Sequence, residues 1–420
     1  MKIEIVTIGD ELLLGFTTDT NAGHIARAIG ALGVSVVRRA TVGDDRASIG
    51  AAVADALSRA DGVITTGGLG PTSDDVTKEA IAALFGRAMV LHEPTLAALH
   101  ERWKRRGLGP LPVTNRAQAL VPEGAELLEN SHGTAPGIWL HTEGGNEGGK
   151  WVAMLPGIPR EMRGMLADAV LPRLRTLVPR EPDVVASRTV RTTGVAESAI
   201  ADGVVDVVLP DGVQLAYLPS WEGVDLRVTI RGVPREVARE RLASAADSLA
   251  ARVTNAVYGT DDADLAAIAL EALRVRRMTF AAGESCTGGL LAARLTAIPG
   301  ASDVVLGGVV AYDNRVKVGV LGVNEETLAV QGAVSEAVAA EMAAGVRAAT
   351  GASFGVGITG IAGPSGGTTV KPVGTVCWAL SWPGGSIQRT AQFVGDRGEV
   401  QRRATQAALM SIVWALAGAP

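Results

Sequence analysis

The stretch Gly283-Glu284-Ser285-Cys286-Thr287-Gly288-Gly289 decides how the C-terminal part of this chain is read. Met278-Thr279-Phe280-Ala281-Ala282 before it predicts a short buried strand, and Leu290-Leu291-Ala292-Ala293-Arg294-Leu295 after it has helical apolar spacing. Ser285 then falls on a strand-to-helix turn, with the next helix N-terminus aimed back at it. Backbone N–H groups at such an end favour developing negative charge, as an oxyanion site requires. An N-capping residue beside a tight glycine turn fits the same letters.

Downstream, Val304–Val310 reads as a strand that ends near Tyr312. Asp313 or Asn314 is placed to N-cap a short helix carrying Lys317 in its first turn. The helix dipole and burial both favour a neutral lysine there, the form a general base needs. No histidine follows His141, so a Ser-His-Asp triad is excluded from the C-terminal half. If Ser285 is a nucleophile, a lysine must activate it. Phe354–Ile358 is a further strand, ending in the loop Thr359-Gly360-Ile361-Ala362-Gly363-Pro364-Ser365-Gly366-Gly367. Thr359, Gly360 and the loop amides are placed to hold a phosphate or carboxamide. Arg397, Arg402 and Arg403 open the last helix, where an arginine clamps a nucleotide phosphate of its own or a neighbouring chain.

These segments resemble the C-terminal domain of the CinA family of competence/damage-inducible proteins, whose relatives deamidate nicotinamide mononucleotide. The resemblance spans nearly all of residues 262–416 and includes Gly332-Ala333-Val334-Ser335-Glu336, Lys371-Pro372-Val373-Gly374-Thr375 and Gly395-Asp396-Arg397 in order. It implies that Ser285 is the nucleophile and that Tyr312 and Lys317 assist. Amides at Thr287, Gly288 and Gly289 would complete the oxyanion site. No cofactor is expected there, and a homo-oligomer, a dimer, is expected from the resemblance alone. Gly283 stands where alanine is more usual.

A length of 420 residues suggests two or three domains, and 47% hydrophobic against 20% charged residues is a globular composition. The net charge is -5 and no dense basic run occurs, so duplex DNA is not an expected partner. Two cysteines make no disulfide framework, and Cys286 reads as a small buried residue rather than a thiol nucleophile. Met1–Ile8 lacks the apolar core of a signal peptide, and no apolar run spans a bilayer. A soluble, cytoplasmic protein without membrane contact is expected.

The N-terminal part alternates strands (residues 3–8, 34–37 and 62–66) with helices (residues 21–32, 48–59 and 76–85). That alternation predicts an open parallel sheet with helices on both faces, which binds ligands beyond its carboxyl strand ends. There the sequence puts Asp10 and Glu11, and the loop Gly67-Gly68-Leu69-Gly70-Pro71-Thr72-Ser73-Asp74-Asp75. Gly67, Gly68, Gly70 and Thr72 suit a phosphate at a helix N-terminus, a reading that two acids and a glycine triplet favour over Thr72 to Asp75 merely capping that helix. Asp10, Glu11, Asp74 and Asp75 suit a hard divalent ion. Lys78 either meets a phosphate or pairs with Asp74. Pro156 and Gly157 either appose phosphate to a second helix start or form a rigid connector. His132 reads as a surface or hydrogen-bonding residue, and residues 101–106 as a solvated helix end.

This part resembles the molybdopterin-binding fold in its CinA version, over roughly residues 1–175. The matching runs are Gly9–Gly15, Asp19-Thr20-Asn21, Gly67–Ala80, Asn130–Gly137 and Leu155–Met162. The resemblance implies metal-dependent cleavage of ADP-ribose to AMP and ribose 5-phosphate, with ADP-ribose over the glycine loop, Asp19 and Asn21 beside it, and the acids on magnesium, manganese or cobalt. Potassium is allowed as a further ion. Glu11 or Asp75 would activate the attacking water. Binding or adenylylation of molybdopterin by this domain and a non-enzymatic adaptor role in competence or recombination are the alternatives.

Arg180-Glu181-Pro182-Asp183 reads as a boundary, followed by strand, helix, strand, strand, helix, strand up to Gly259. CinA proteins carry a small KH-like domain here, but no Gly-x-x-Gly RNA-gripping loop occurs, so a spacer or assembly module is expected. The fold class is α/β in three parts: a molybdopterin-binding-like doubly wound sheet (1–178), a KH-like α+β domain (179–259) and a C-terminal α/β domain (260–420).

Overall fold

The structure is a computed structural model describing residues 1–107, 109–141, 149–178 and 183–418. It forms two compact units, Met1–Ala186 with Ile230–Glu240, and Ser187–Thr229 with Arg241–Pro420. The boundary expected at Arg180–Pro182 lies outside the described residues.

In the first unit the chain runs β1 (Lys2–Ile8), α1 (Asp10–Leu13), α2 (Asn21–Gly30), β2 (Ser35–Val42), α3 (Arg46–Arg59), β3 (Gly62–Thr66) and α4 (Thr77–Leu84). It continues with β4 (Met89–Leu91), α5 (Glu93–Arg105), β5 (Leu120–Pro122), β6 (Glu126–Leu128), β7 (Gly137–His141), β8 (Trp151–Leu155), α6 (Pro159–Met165) and α7 (Leu171–Leu177). The sheet order is β2-β1-β3-β8-β7-β6. β2, β1, β3 and β8 are parallel, and β3 and β8 are buried along their whole length, as apolar runs covered on both faces should be. β7 and β6 are antiparallel additions, a departure from the all-parallel expectation. The link from β7 to β8 is too short for a crossover helix, so the two strands pair antiparallel. Ile3, Ile5, Ile25 and Ile29 pack on one face, Val6, Val63, Ile49 and Ile81 on the other. The carboxyl ends of β1, β2, β3 and β8 therefore bring Asp10, Asp44, Gly67 and Pro156 to one edge.

The second unit begins within β9 (Val184–Thr192) and continues through α8 (Glu197–Val204), β10 (Gln214–Pro219), β11 (Val224–Val233), α9 (Arg235–Arg252) and β12 (Val257–Thr260), except that Ile230–Glu240, the end of β11 and the start of α9, belong to the first; the sheet order is β10-β11-β9-β12. The order of strands and helices is the one the sequence predicts. Then come α10 (Leu265–Val275), β13 (Phe280–Glu284), α11 (Leu290–Thr296), β14 (Val305–Val310), α12 (Asn314–Gly319), α13 (Glu325–Gln331) and α14 (Glu336–Thr350). β15 (Phe354–Gly360), β16 (Thr375–Trp382), β17 (Gly385–Gln392) and α15 (Arg397–Ala417) complete it.

The five strands are ordered β14-β13-β15-β16-β17, the first three parallel and the last two antiparallel. α10, α11 and α15 share one core with β13 and β15, while α14 packs on β13, β15 and β16. Two glycines let α14 lie directly on β15. A Cβ at Gly355 or Gly357 would come within 2.3 or 2.2 Å of the Ala343 or Ala339 carbonyl. That close approach fixes the end of β15, where Thr359 and Gly360 stand beside Ser285.

Candidate active sites

β13 delivers Ser285 to a turn whose own amide donates to Ile358 O at 2.9 Å, tying it to β15. Gly288 and Gly289 have φ of 64° and 99°, the left-handed region that explains the paired glycines. The neighbouring Glu284 is 1% exposed and supplies what the α11 N-terminus needs. Its carboxylate accepts from Gly289 N at 3.1 Å, Leu291 N at 3.0 Å and Ala292 N at 2.9 Å. Gly288 N donates to Ser285 O at 3.1 Å. This corrects the sequence reading: the Gly288 and Gly289 amides already have acceptors, and the anion at this helix terminus is Glu284. Thr287, Gly288 and Gly289 are also not among the residues lining the cavity. Glu284→Ala would leave three amides without their acceptor and is expected to cost roughly 3 kcal/mol, read as a lower denaturant midpoint. A wild-type midpoint would contradict this role.

Ser285, Tyr312, Lys317, Thr359, Gly360 and Arg397 line one cavity of about 250 Å³. Asp313 caps α12 through Arg315 N at 2.8 Å, which carries Lys317 inward to 2% exposure. Lys317 Nζ donates to Tyr312 O at 3.2 Å. Burial holds its pKa below the ordinary lysine value, against a smaller opposing pull from Asp313. Cys286 is buried and its thiol is pushed up to about 12 by burial, so it is the inert neighbour the sequence suggested. Arg397 donates to Tyr312 Oη at 2.6 Å and to Gly363 O at 2.7 Å. Because the tyrosine oxygen accepts from Arg397, its own O–H is directed to another acceptor.

Three C-terminal assignments change. Two Arg397 nitrogens are committed within the protein, so it orients Tyr312 besides lining the cavity. The Thr359 hydroxyl donates to Ala333 O at 2.8 Å, so it fixes the loop instead of being held ready for substrate. Arg402 is absent from the cavity lining and lies over the Trp221 ring at 5.9 Å. The sequence reading missed Gln401, whose side chain donates to Cys286 O at 2.7 Å. Its only signal was the four-residue spacing from Arg397 along one helix face.

At the N-terminal edge, Asn21 Nδ2 donates to Gly157 O at 2.7 Å and Thr66 Oγ1 at 3.1 Å, while Thr66 Oγ1 donates to Pro156 O at 2.9 Å. Asn21, Pro156 and Gly157 thus meet beside Gly67, which lies 3.4 Å from a Cβ built on Gly157. Gly67 itself has φ 116°, and a Cβ there would meet Ile8 O at 2.1 Å. The loop amides are less open than predicted. Gly67 N donates to Leu155 O at 3.1 Å, and Gly70 N and Thr72 N donate to Asp75 at 2.7 and 2.9 Å. The Thr72 hydroxyl also donates to Asp75. Asp75 therefore shapes the loop, a correction to its reading as a metal ligand. The carbonyl of Gly68 likewise accepts from Thr77 N at 3.3 Å.

Lys78 is corrected too. Its Nζ turns to Ala117 O at 2.5 Å and Leu120 O at 3.0 Å, and burial pushes its pKa down to about 8. The amine is thus turned inward to backbone carbonyls, and no ion pair with Asp74 forms among the described residues. Asp19 accepts from Ala22 N at 3.0 Å, a helix-start contact, and His132 bonds Asp168 at 2.8 Å as a surface partner.

The acid the sequence reading missed is Asp44. It is interlocked with Asp10, whose amide donates to Asp44 at 2.9 Å, the return bond being 3.3 Å. Burial raises the Asp44 pKa, and the charges of Asp10, Glu11 and Asp74 raise it further. Carboxylates are the hard oxygen donors a divalent cation takes, and their mutual repulsion is what such a charge would relieve. Among the described residues, no three acidic, histidine or cysteine side chains are gathered at ligand distance.

The fold is that of a molybdopterin-binding-like domain, a KH-like domain and a C-terminal α/β domain. The matching family models are the probable molybdopterin binding domain over residues 4–176, the damage-inducible protein CinA KH domain over 187–259 and the CinA C-terminal domain over 262–416. A CinA-like protein of Gemmatimonas aurantiaca is 55% identical over 97% of this chain and 95% of its own length. One of Chloroherpeton thalassium is 42% identical over 97% of this chain and 98% of its own. The solved CinA protein of Thermoplasma acidophilum is 36% identical over 41% of this chain and 96% of its own, with a TM-score of 0.37. This chain belongs to the CinA-like family. No helix among the described residues is long and apolar enough to cross a membrane.

Proposed function

We propose that the C-terminal domain hydrolyses the carboxamide of nicotinamide mononucleotide, giving nicotinate mononucleotide and ammonia. The observation that carries this reading is Ser285, Tyr312 and the buried Lys317 around one cavity. Ser285 Oγ attacks the amide carbon while neutral Lys317 takes its proton. Tyr312, its oxygen engaged by Arg397, donates its O–H to the developing oxyanion. Ammonia leaves with the proton Lys317 collected. A water deprotonated by the same lysine then opens the acyl-serine, releasing the carboxylate and restoring Ser285. Incubating the full-length protein with nicotinamide mononucleotide should yield nicotinate mononucleotide and ammonia in equal amounts. Release of free nicotinamide would show glycosidic cleavage instead and sink this reading.

The N-terminal domain is assigned metal-dependent cleavage of ADP-ribose to AMP and ribose 5-phosphate. Asp10, Glu11, Asp44 and Asp74 would hold the divalent ion, which when bound neutralises the diphosphate and acidifies water. With Asp75 committed to the loop, Glu11 remains as the base for that water. A homodimer in solution completes the proposal. Cytoplasmic residence is part of it.

A further inference from the structure

We propose that Trp221 is a positioning residue for the amidase site, through which the Ser187–Thr229 segment braces the nucleophile turn. The proposal rests on the amidase reading for its kinetic part only. Trp221 stands on the turn between β10 and β11. There Ser220 N donates to Gly223 O at 2.8 Å and Glu222 N to Ser220 Oγ at 3.1 Å. Arg191 bonds Glu222 at 2.6 Å and Asp225 at 2.9 Å, and the Thr193 hydroxyl donates to Glu222 O at 2.5 Å. Gly223 has φ 152°, and a Cβ there would fall 2.0 Å from Thr192 O, so the turn has little freedom. It presents the indole in a fixed pose.

Two guanidinium groups hold that indole. Arg294 lies 5.4 Å and Arg402 5.9 Å from the ring. Such contacts attract through the ring quadrupole, more strongly when partly desolvated. Arg294 comes from α11 and is held by Gln406 at 3.2 Å and Asp264 at 3.4 Å. Arg402 comes from α15, and its Nε is buried without a hydrogen-bond partner among the described residues. The ring is the aromatic face this guanidinium lies against.

Both helices also carry the active-site turn. α11 is joined to it by the Glu284 carboxylate on Gly289, Leu291 and Ala292. α15 is joined by Gln401, adjacent to Arg402, through Cys286 O, and by Arg397 through Tyr312. One indole therefore couples the two helices that set the position of Ser285 and the direction of the Tyr312 hydroxyl. Displacements of about an ångström at reacting groups cost up to about 100-fold in rate.

The test compares full-length wild type with Trp221→Ala and Trp221→Phe, reading amide hydrogen exchange across residues 285–292 and ammonia release from nicotinamide mononucleotide. Trp221→Ala is expected to speed exchange of the Gly289, Leu291 and Ala292 amides about tenfold and lower kcat about tenfold, with KM within about twofold. Trp221→Phe, which keeps an aromatic face, should restore both. Wild-type exchange in a folded Trp221→Ala protein, or wild-type kcat despite faster exchange, would overturn the proposal. If Trp221→Ala does not fold, Arg402→Met takes its place with the same readouts and outcomes. Failure of wild type to release ammonia would count against the amidase reading alone, and exchange, which needs no substrate, then decides the brace.

Discussion

Lys317→Met is expected to slow ammonia release from nicotinamide mononucleotide by about 10³–10⁴-fold, the span of a lost general base. Methionine matches the buried stem, and among the described residues the only Lys317 Nζ hydrogen bond is to Tyr312 O, so the variant should stay folded. The pH profile gives the sharper signature. Burial favours the neutral amine, so the working base titrates below the ordinary lysine value of about 10.4. Activity should be lost as pH falls through that lowered value and regained above it. The sign for stability follows the same shift. The cost of burying the charged amine is full below the folded-state pKa and fades as pH rises toward the unfolded value. Wild type should therefore gain on Lys317→Met in thermal melts over that window. Retained activity in the variant, or an ascending limb of the pH profile that the substitution leaves unchanged, would contradict the assignment of Lys317 as base.

Asp44→Asn is expected to lower metal-dependent ADP-ribose hydrolysis about 100-fold and to raise the metal concentration needed for half-activity. Burial and the charges of Asp10, Glu11 and Asp74 already disfavour the Asp44 carboxylate, so removing it relieves repulsion and should not unfold the domain. Asp75→Asn is the contrasting change, since Asp75 accepts from Gly70, Thr72 N and the Thr72 hydroxyl. It should lower the melting temperature through the loop. An Asp44→Asn protein with wild-type metal dependence would remove Asp44 from the proposed site.

Much of the architecture was legible because burial writes itself into apolar runs. Phe280–Glu284 and Gly62–Thr66 are buried throughout, and glycines mark the turns after them. Ser285 and Lys317 were legible from strand-to-helix turns, while Tyr312 joined them only through the family resemblance; the three line one cavity. What the letters concealed is which polar groups are already engaged. Glu284 looks like one more residue of a motif, yet its 1% exposure and three amide partners make it the anion at α11. Lys78 sits one turn from a glycine loop, but helical phase turns its amine to Ala117 and Leu120 carbonyls. Asp44 was passed over because it becomes a neighbour of Asp10 only when β2 pairs with β1. Gln401 meets Cys286, and Trp221 meets Arg294 and Arg402, across long sequence separations, and beyond the four-residue spacing of Gln401 from Arg397 the local sequence carries no trace of these contacts.

The most direct measurement is the initial rate of ammonia release from nicotinamide mononucleotide by full-length wild type and Ser285→Ala at matched folding. The account predicts steady release by wild type and none above background for the variant, with ADP-ribose cleavage unchanged in both. Ammonia release by Ser285→Ala at a rate near wild type would contradict it.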